Sequence, residues 1–149
     1  MSTKSQDVVI VEGVRTPIGT YRGSLKKMSA DQLGSTVIKE VLKRCKMSNE
    51  EIDEVIMGQV LTAGNGQNPA RQAAVNAGIS ILKPAHVVNQ VCGSGLRAVI
   101  SGYQSIKLNE VKNVICGGQE NMSIAPHSIF YRDKKKFLSK NWKTQWFMM

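Results

Sequence analysis

Cys92 ends the run Val87-Val-Asn-Gln-Val-Cys92, and the small residues Gly93-Ser-Gly95 follow it. A helical pattern then begins, with Leu96, Val99, Ile100 and Tyr103 at i, i+3, i+4 and i+7. A cysteine at a strand-to-helix turn has a chemical meaning. The first N–H groups of a helix lack intrahelical partners, and the dipole there is positive. Both favour the thiolate, which is the nucleophilic form of the side chain. Gly93 and Gly95 allow a tight turn and a close approach of substrate to backbone. The alternative is a buried, inert cysteine ahead of a packing helix. Spacing alone leaves both readings open.

A second chemistry overlaps the same stretch. Gly93-Ser-Gly-Leu-Arg-Ala98 fits G-x-G-x-x-A between a strand and a helix, the dinucleotide fingerprint. That unit also needs an acid about twenty residues on, at the end of the next strand. Glu110 and Glu120 fall before and after that strand rather than at its end. The fingerprint is therefore the weaker reading.

The elements that must position Cys92 alternate. Val8–Val11 is β-branched and apolar, as a buried strand would be. Ser29-Ala-Asp-Gln32 is a capping box, opening a helix with the apolar face Leu33, Val37, Val41 and Cys45, and Ile38 and Leu42 beside it. Cys45 reads as a core filler there. Ser48-Asn-Glu-Glu51 caps a short turn, and Ile52–Val60 reads as a strand. Ala63–Pro69 is a loop. Pro69 suits the first turn of a small-residued helix that stops at Gly78. Val111–Cys116 is a further strand, closed by Gly117-Gly118, with Cys116 in a buried structural role. The order predicts an α/β layered half domain with a largely parallel sheet flanked by helices. Chemistry in such sheets gathers at the carboxyl ends of the strands, where Cys92 falls.

Composition narrows the function classes. A chain of 149 residues that is 42% hydrophobic and 21% charged can bury a real core. No apolar run approaches the roughly eighteen residues needed to span a bilayer. The first residues carry no apolar signal region, and three scattered cysteines make neither a disulfide framework nor a zinc site. These features point to the cytoplasm. The net charge of +9 is concentrated in the last eighteen residues, where six basic side chains face one acid. A basic tail of this kind is usually a solvated segment, and it argues against a nucleic-acid partner.

Four stretches together resemble the N-terminal part of the thiolase family, of the biosynthetic acetyl-CoA C-acetyltransferase type. They are Val8–Gly19 with its Arg15-Thr-Pro17 loop; Met57–Val60 with Gly64–Gln72; Asn89–Leu96; and Gly117–Pro126. They cover about Val8–Pro126 in the family's order. The resemblance implies residues 1–126 as the N-terminal domain core and 127–149 as the start of a loop domain or an irregular basic tail. It implies Cys92 as the acylated nucleophile, with a coenzyme A thioester as substrate and no separate cofactor or metal. The Cys92 N–H would serve an oxyanion hole, where one lost donor costs about 3–4 kcal/mol. The family's activating histidine, its asparagine-bearing loop and its second, acid/base cysteine all lie in its C-terminal half. His86, His127 and Cys116 fit none of those roles. The resemblance therefore also implies an inactive fragment when the chain stands alone, and a homo-oligomer when the fold is complete.

The tail suggests how a fragment could arise. Read two bases out of frame, the codons of Gln145–Met149 give Met/Val-Val-Tyr/His-Asp. That resembles a Met-x-x-Asp-Gly-Leu segment of the family and points to a frameshift or a decayed gene. A split enzyme with a partner chain for the second half is the alternative. Two other function classes stay open: a ketoacyl synthase-like condensing enzyme, and a non-catalytic fragment that only binds or dimerises.

Overall fold

The computed structural model describes residues 7–127. Helix α1 is Ala30–Cys45, strand β1 Glu54–Gly58, helix α2 Pro69–Asn76, strand β2 Ala85–Val88, helix α3 Ser94–Lys107 and strand β3 Val114–Gly118. Single 3-10 turns occupy Asn49–Glu51 and Met122–Ile124. The sheet has the order β2-β1-β3, and both pairings are parallel. The expected α/β architecture is therefore present.

Local chemistry explains the ends of the elements. Gln32 accepts from the Ser29 N–H at 2.9 Å, and Glu51 accepts from the Ser48 N–H at 2.7 Å, so both capping boxes form. Asn68 caps α2 by accepting from the Arg71 N–H at 3.1 Å, with Pro69 in the first turn. Asp53 joins the starts of β1 and β3. Its carboxylate accepts from the Lys112 and Asn113 N–H groups at 2.9 and 3.0 Å, and these bonds hold its pKa below the usual value.

The two faces of the sheet are packed differently. Val55 and Met57 of β1 join Ile38 and Leu42 of α1 and the alanines of α2 in one apolar cluster. On the other face α3 lies against β1 and β3 through Ser94, Ala98 and Gly102, one residue per turn and all buried. A Cβ on Gly102 would overlap the Cys116 sulfur, and one on Gly58 would lie 2.5 Å from the Ser94 carbonyl carbon and 2.6 Å from the Gly95 nitrogen. Close packing of helix on strand thus requires glycine on both sides.

Three expectations change. Val8–Val11 forms no strand, and Val9, Ile10 and Val11 are 70–82% exposed. A strand needs a hydrogen-bonding neighbour, and the described sheet supplies none for this segment. The face of α3 that carries Leu96, Ile100 and Tyr103 points outward, while the small-residue stripe faces the sheet. On α1 the buried stripe is Ala30, Gly34, Ile38 and Leu42, one residue round from the expected Leu33, Val37 and Val41. Gly34 is buried because α2 and Gln119 crowd it: a Cβ there would lie 3.1 Å from the Ala73 methyl.

Gly58→Ala should lower the unfolding free energy by about 3 kcal/mol, since the added methyl meets backbone rather than a movable side chain. Gly13→Ala, which adds a methyl in open space, is the control and should change little. Urea unfolding of both variants checks this. Equal stability of the two would show that α3 does not press on β1.

Candidate active site

The chain leaves β1 for α2 on one face of the sheet and leaves β2 for α3 on the other, and both connections start at the carboxyl ends of the parallel strands. Ligands of open α/β sheets lie outside that edge. Here a cavity of about 380 Å³ opens between Gln59 and Thr62 after β1, Val87 and Asn89 on and after β2, and Asn68 at the start of α2. Cys92 follows Asn89 by three residues and is exposed.

The turn that carries Cys92 is not an extension of the strand. β2 stops at Val88, and Val91 adopts φ +51°, a left-handed conformation. A β-branched residue there is an outlier, and such strain costs on the order of 1–3 kcal/mol. Ser94 and Asn89 hold it. The Ser94 hydroxyl accepts from the Gln90 N–H at 2.8 Å and donates to the Val91 carbonyl at 2.6 Å. Asn89 Oδ1 accepts from the Val91 N–H at 3.0 Å. Ser94 is 4% exposed, wedged over Gly58, so its hydroxyl has little freedom to point elsewhere.

The surrounding loops are tied by side chains of the other motifs. Glu120 accepts from the Val60 and Leu61 N–H groups at 2.8 and 3.2 Å. Buried Gln119 donates to Gln59 at 2.9 Å, and Gln59 donates to the Leu61 carbonyl at 3.0 Å. Asn89 in turn donates weakly to the Val60 carbonyl at 3.4 Å. Gln72 fastens the 64–68 loop by donating to the carbonyls of Asn65 and Gln67 at 2.6 and 3.0 Å. Arg71 fastens the approach to β2 through the carbonyls of Ile81 and Lys83. Asn121 donates to the Met28 carbonyl at 2.6 Å, and Ser123 accepts from the Arg22 N–H at 2.8 Å.

These motifs match a known family. The thiolase N-terminal domain matches residues 8–148. The chain belongs to the thiolase family. It is 54% identical over 121 residues to the acetyl-CoA acetyltransferase of Cupriavidus necator, covering 81% of this chain and 31% of that protein. It is 50% identical over 136 residues to the cytosolic acetyl-CoA acetyltransferase of Rattus norvegicus, covering 91% of this chain and 34% of that protein. Among solved structures it is similar to the Acat5 thiolase of Ascaris suum, crystallised in complex with coenzyme A. That match has a TM-score of 0.77 and 40% identity, and covers 78% of this chain and 30% of the other. The chain thus spans about a third of the length of these thiolases.

Within this thiolase domain the other sequence candidates fall away from Cys92. His86 sits near the amino end of β2, the end opposite the Cys92 turn, with Nδ1 3.2 Å from Glu54. His127 is exposed beside Pro126. Cys116 lies within β3 against Gly102, and its pKa is pushed up to about 11, chiefly by burial and then by the Glu54 charge. Cys45 is half-buried at the end of α1. Glu120 is engaged with backbone N–H groups and is not presented to a ribose, which leaves the dinucleotide fingerprint without its acid. Among the described residues no group of three His, Cys, Asp or Glu side chains gathers to hold a metal, and no helix is long and apolar enough to cross a membrane. The basic tail lies outside the described residues.

Sequence reading missed the roles of Ser94, Asn89 and Glu120. Ser94 was legible only as a small residue between glycines. The available signal was the apolar Val91 with Asn89 two residues before it and Ser94 three after, both able to bond a turn.

The structure separates the cysteines by reactivity. Iodoacetamide near pH 8 should modify exposed Cys92 first. Cys116, with its thiol at about 11, holds only about a thousandth of its population as thiolate there and should stay unmodified until the pH nears 11 or the chain unfolds. Mass-spectrometric peptide mapping reads the order, and early labelling of Cys116 would contradict the packing.

Proposed function

We propose that this chain carries the acyl-accepting half of an acetyl-CoA acetyltransferase site, with Cys92 as the nucleophile. The observation behind the reading is an exposed cysteine just before the amino end of α3, three residues after the cavity-lining Asn89, in a chain of the thiolase family. With acetyl-CoA, the Cys92 sulfur attacks the thioester carbonyl: a C–S bond to the enzyme forms, the C–S bond to coenzyme A breaks, and the departing thiolate takes up a proton. With acetoacetyl-CoA, the sulfur attacks the 3-keto carbon: a C–S bond to the enzyme forms, the C2–C3 bond breaks, and the departing acetyl-CoA carbanion takes up a proton. A second acyl-CoA, or coenzyme A itself, then removes the acyl group. The order is ping-pong.

The reading extends to the domain division. It takes residues 1–126 as the N-terminal core and 127–149 as the start of a loop domain or an irregular tail, with 1–6 and 128–149 outside the described residues. Coenzyme A is a substrate, as the coenzyme A complex of the similar Ascaris suum protein supports. A cytoplasmic location is supported by the name of the rat relative. Homo-oligomerisation belongs to the same reading. The proton chemistry of the second step needs residues beyond those described, since His86 is engaged with Glu54 and Cys116 is packed under α3.

Incubation with acetyl-CoA should place one acetyl group on the peptide containing Cys92, labile to hydroxylamine, and Cys92→Ser should abolish it. Absence of that adduct on a folded chain overturns the assignment. Steady-state thiolysis of acetoacetyl-CoA by the 149-residue chain alone should stay at the buffer rate. Turnover at enzyme-like rates, tens per second or so, would show that the chain contains its own base.

A further inference from the structure

The Cys92 turn has a feature that acyl transfer does not by itself require. Val91, directly before the nucleophile, is held at φ +51°. Among the described non-glycine residues with positive φ it is the β-branched one, the others being Arg22, Lys46, Asn68 and Asn109. Its side chain is 47% exposed, so packing does little to impose the conformation. The turn is closed by backbone bonds, from the Gly93 N–H to the Gln90 carbonyl at 3.0 Å and from the Ser94 N–H to the Val91 carbonyl at 3.1 Å, and by polar side chains. Ser94 Oγ bonds the residues on either side of the Gln90–Val91 peptide, at 2.8 and 2.6 Å, and Asn89 Oδ1 takes the Val91 N–H at 3.0 Å. Together they engage both backbone polar groups of Val91. Ser94 is itself fixed, because its Cβ and carbonyl carbon sit over Gly58 with no room for a methyl between.

We infer that Ser94 and Asn89 are positioning residues that lock Val91 in the left-handed conformation and so present the Cys92 sulfur at the surface. The inference rests on the reading of Cys92 as the acylated nucleophile. Release of the clamp lets Val91 relax to the β region that its side chain prefers. That relaxation swings the following peptide and withdraws the sulfur from its exposed position. Both act on the sulfur through Val91.

The test is a cycle on the full 149-residue chain. Ser94→Ala, Val91→Gly and the double variant are compared for the second-order rate of Cys92 alkylation by iodoacetamide and for acetylation by acetyl-CoA. Urea midpoints establish that each chain is folded. Ser94→Ala should slow both reactions by roughly tenfold, and Val91→Gly alone should change them by no more than about threefold. The double variant should recover to within about threefold of the starting chain, because glycine takes positive φ without strain. A hydroxyl that served only packing would not be rescued by a glycine three residues away. Asn89→Ala, at an exposed position, carries the same expectation should Ser94→Ala fail to fold. Wild-type rates in folded Ser94→Ala, or an equal slowing with and without Val91→Gly, overturn the inference. For Asn89→Ala the overturning results are a wild-type rate or no recovery when Val91→Gly is added. A starting chain that is alkylated at Cys92 but never acetylated overturns the acyl-transfer reading instead, while the alkylation rates still decide the role of Ser94 and Asn89.

Discussion

The approach of α3 to β1 at Gly58 sets the geometry of the rest. Backbone meets backbone there, with Ser94 and Gly95 over Gly58 and Gly95 close to Gly118. Contact this close fixes where α3 begins, and so where the Cys92 turn must close. It also explains why Gly58 of β1 and Ser94 of α3, distant in sequence, are both small, as Gly102 is where α3 meets Cys116 of β3. The apolar cluster of α1, α2 and Val55 and Met57 then holds β1 from the opposite face. A methyl added at the crossing must therefore be absorbed by a strand already packed on its other side.

The same constraint accounts for what sequence could and could not show. Element types were legible wherever capping chemistry or β-branched runs marked them. Ser29 with Gln32, Ser48 with Glu51 and Asn68-Pro69 all sit at the element starts that their side chains predict. Helix faces were less legible. Periodicity finds the large apolar residues, and on α3 those are Leu96, Ile100 and Tyr103, which point away from the sheet. The stripe that packs consists of serine, alanine and glycine, which hydropathy scarcely registers. On α1 the same effect rotates the inner face by one residue, because Gly34 is where α2 comes closest. Val8–Val11 shows the limit from the other direction. A β-branched run states a preference for extended backbone, and a strand also needs a neighbour to pair with.

Cys92 was legible as a candidate because a cysteine before a helix start meets unpaired N–H groups, and the family motifs around it favoured a nucleophile over an inert packing role. The apparatus around it was not. Glu120 accepts from the Val60 and Leu61 N–H groups and Gln119 donates to the Gln59 side chain, each across a long stretch of sequence, and no local pattern announces such bonds. The motifs that carry the family resemblance consist largely of residues of this kind. Gln72, Arg71, Asn121 and Ser123 each fasten a loop rather than face the cavity. A motif of polar side chains in a glycine-rich loop can thus record how a site is built, with few of its members touching what the site acts on.

The glycines after Cys92 make the point most directly. Read as G-x-G-x-x-A, they suggest a cradle for pyrophosphate. In the fold, Ser94 is small because it lies over Gly58, whereas a Cβ on Gly95 would lie at ordinary contact distance, 4.0 Å, from Gly118. The residue between the two glycines keeps a hydroxyl, and that hydroxyl is bonded back onto the turn. Alanine would meet the packing requirement at Ser94 equally well, so packing alone does not account for serine. What serine adds is one donor and one acceptor at the place where a β-branched residue stands in an unfavourable conformation. Backbone strain of this kind persists only where its surroundings over-determine it. Here the surroundings are three side-chain hydrogen bonds, two backbone bonds across the turn and a helix start packed on β1, and the cysteine lies one residue beyond Val91.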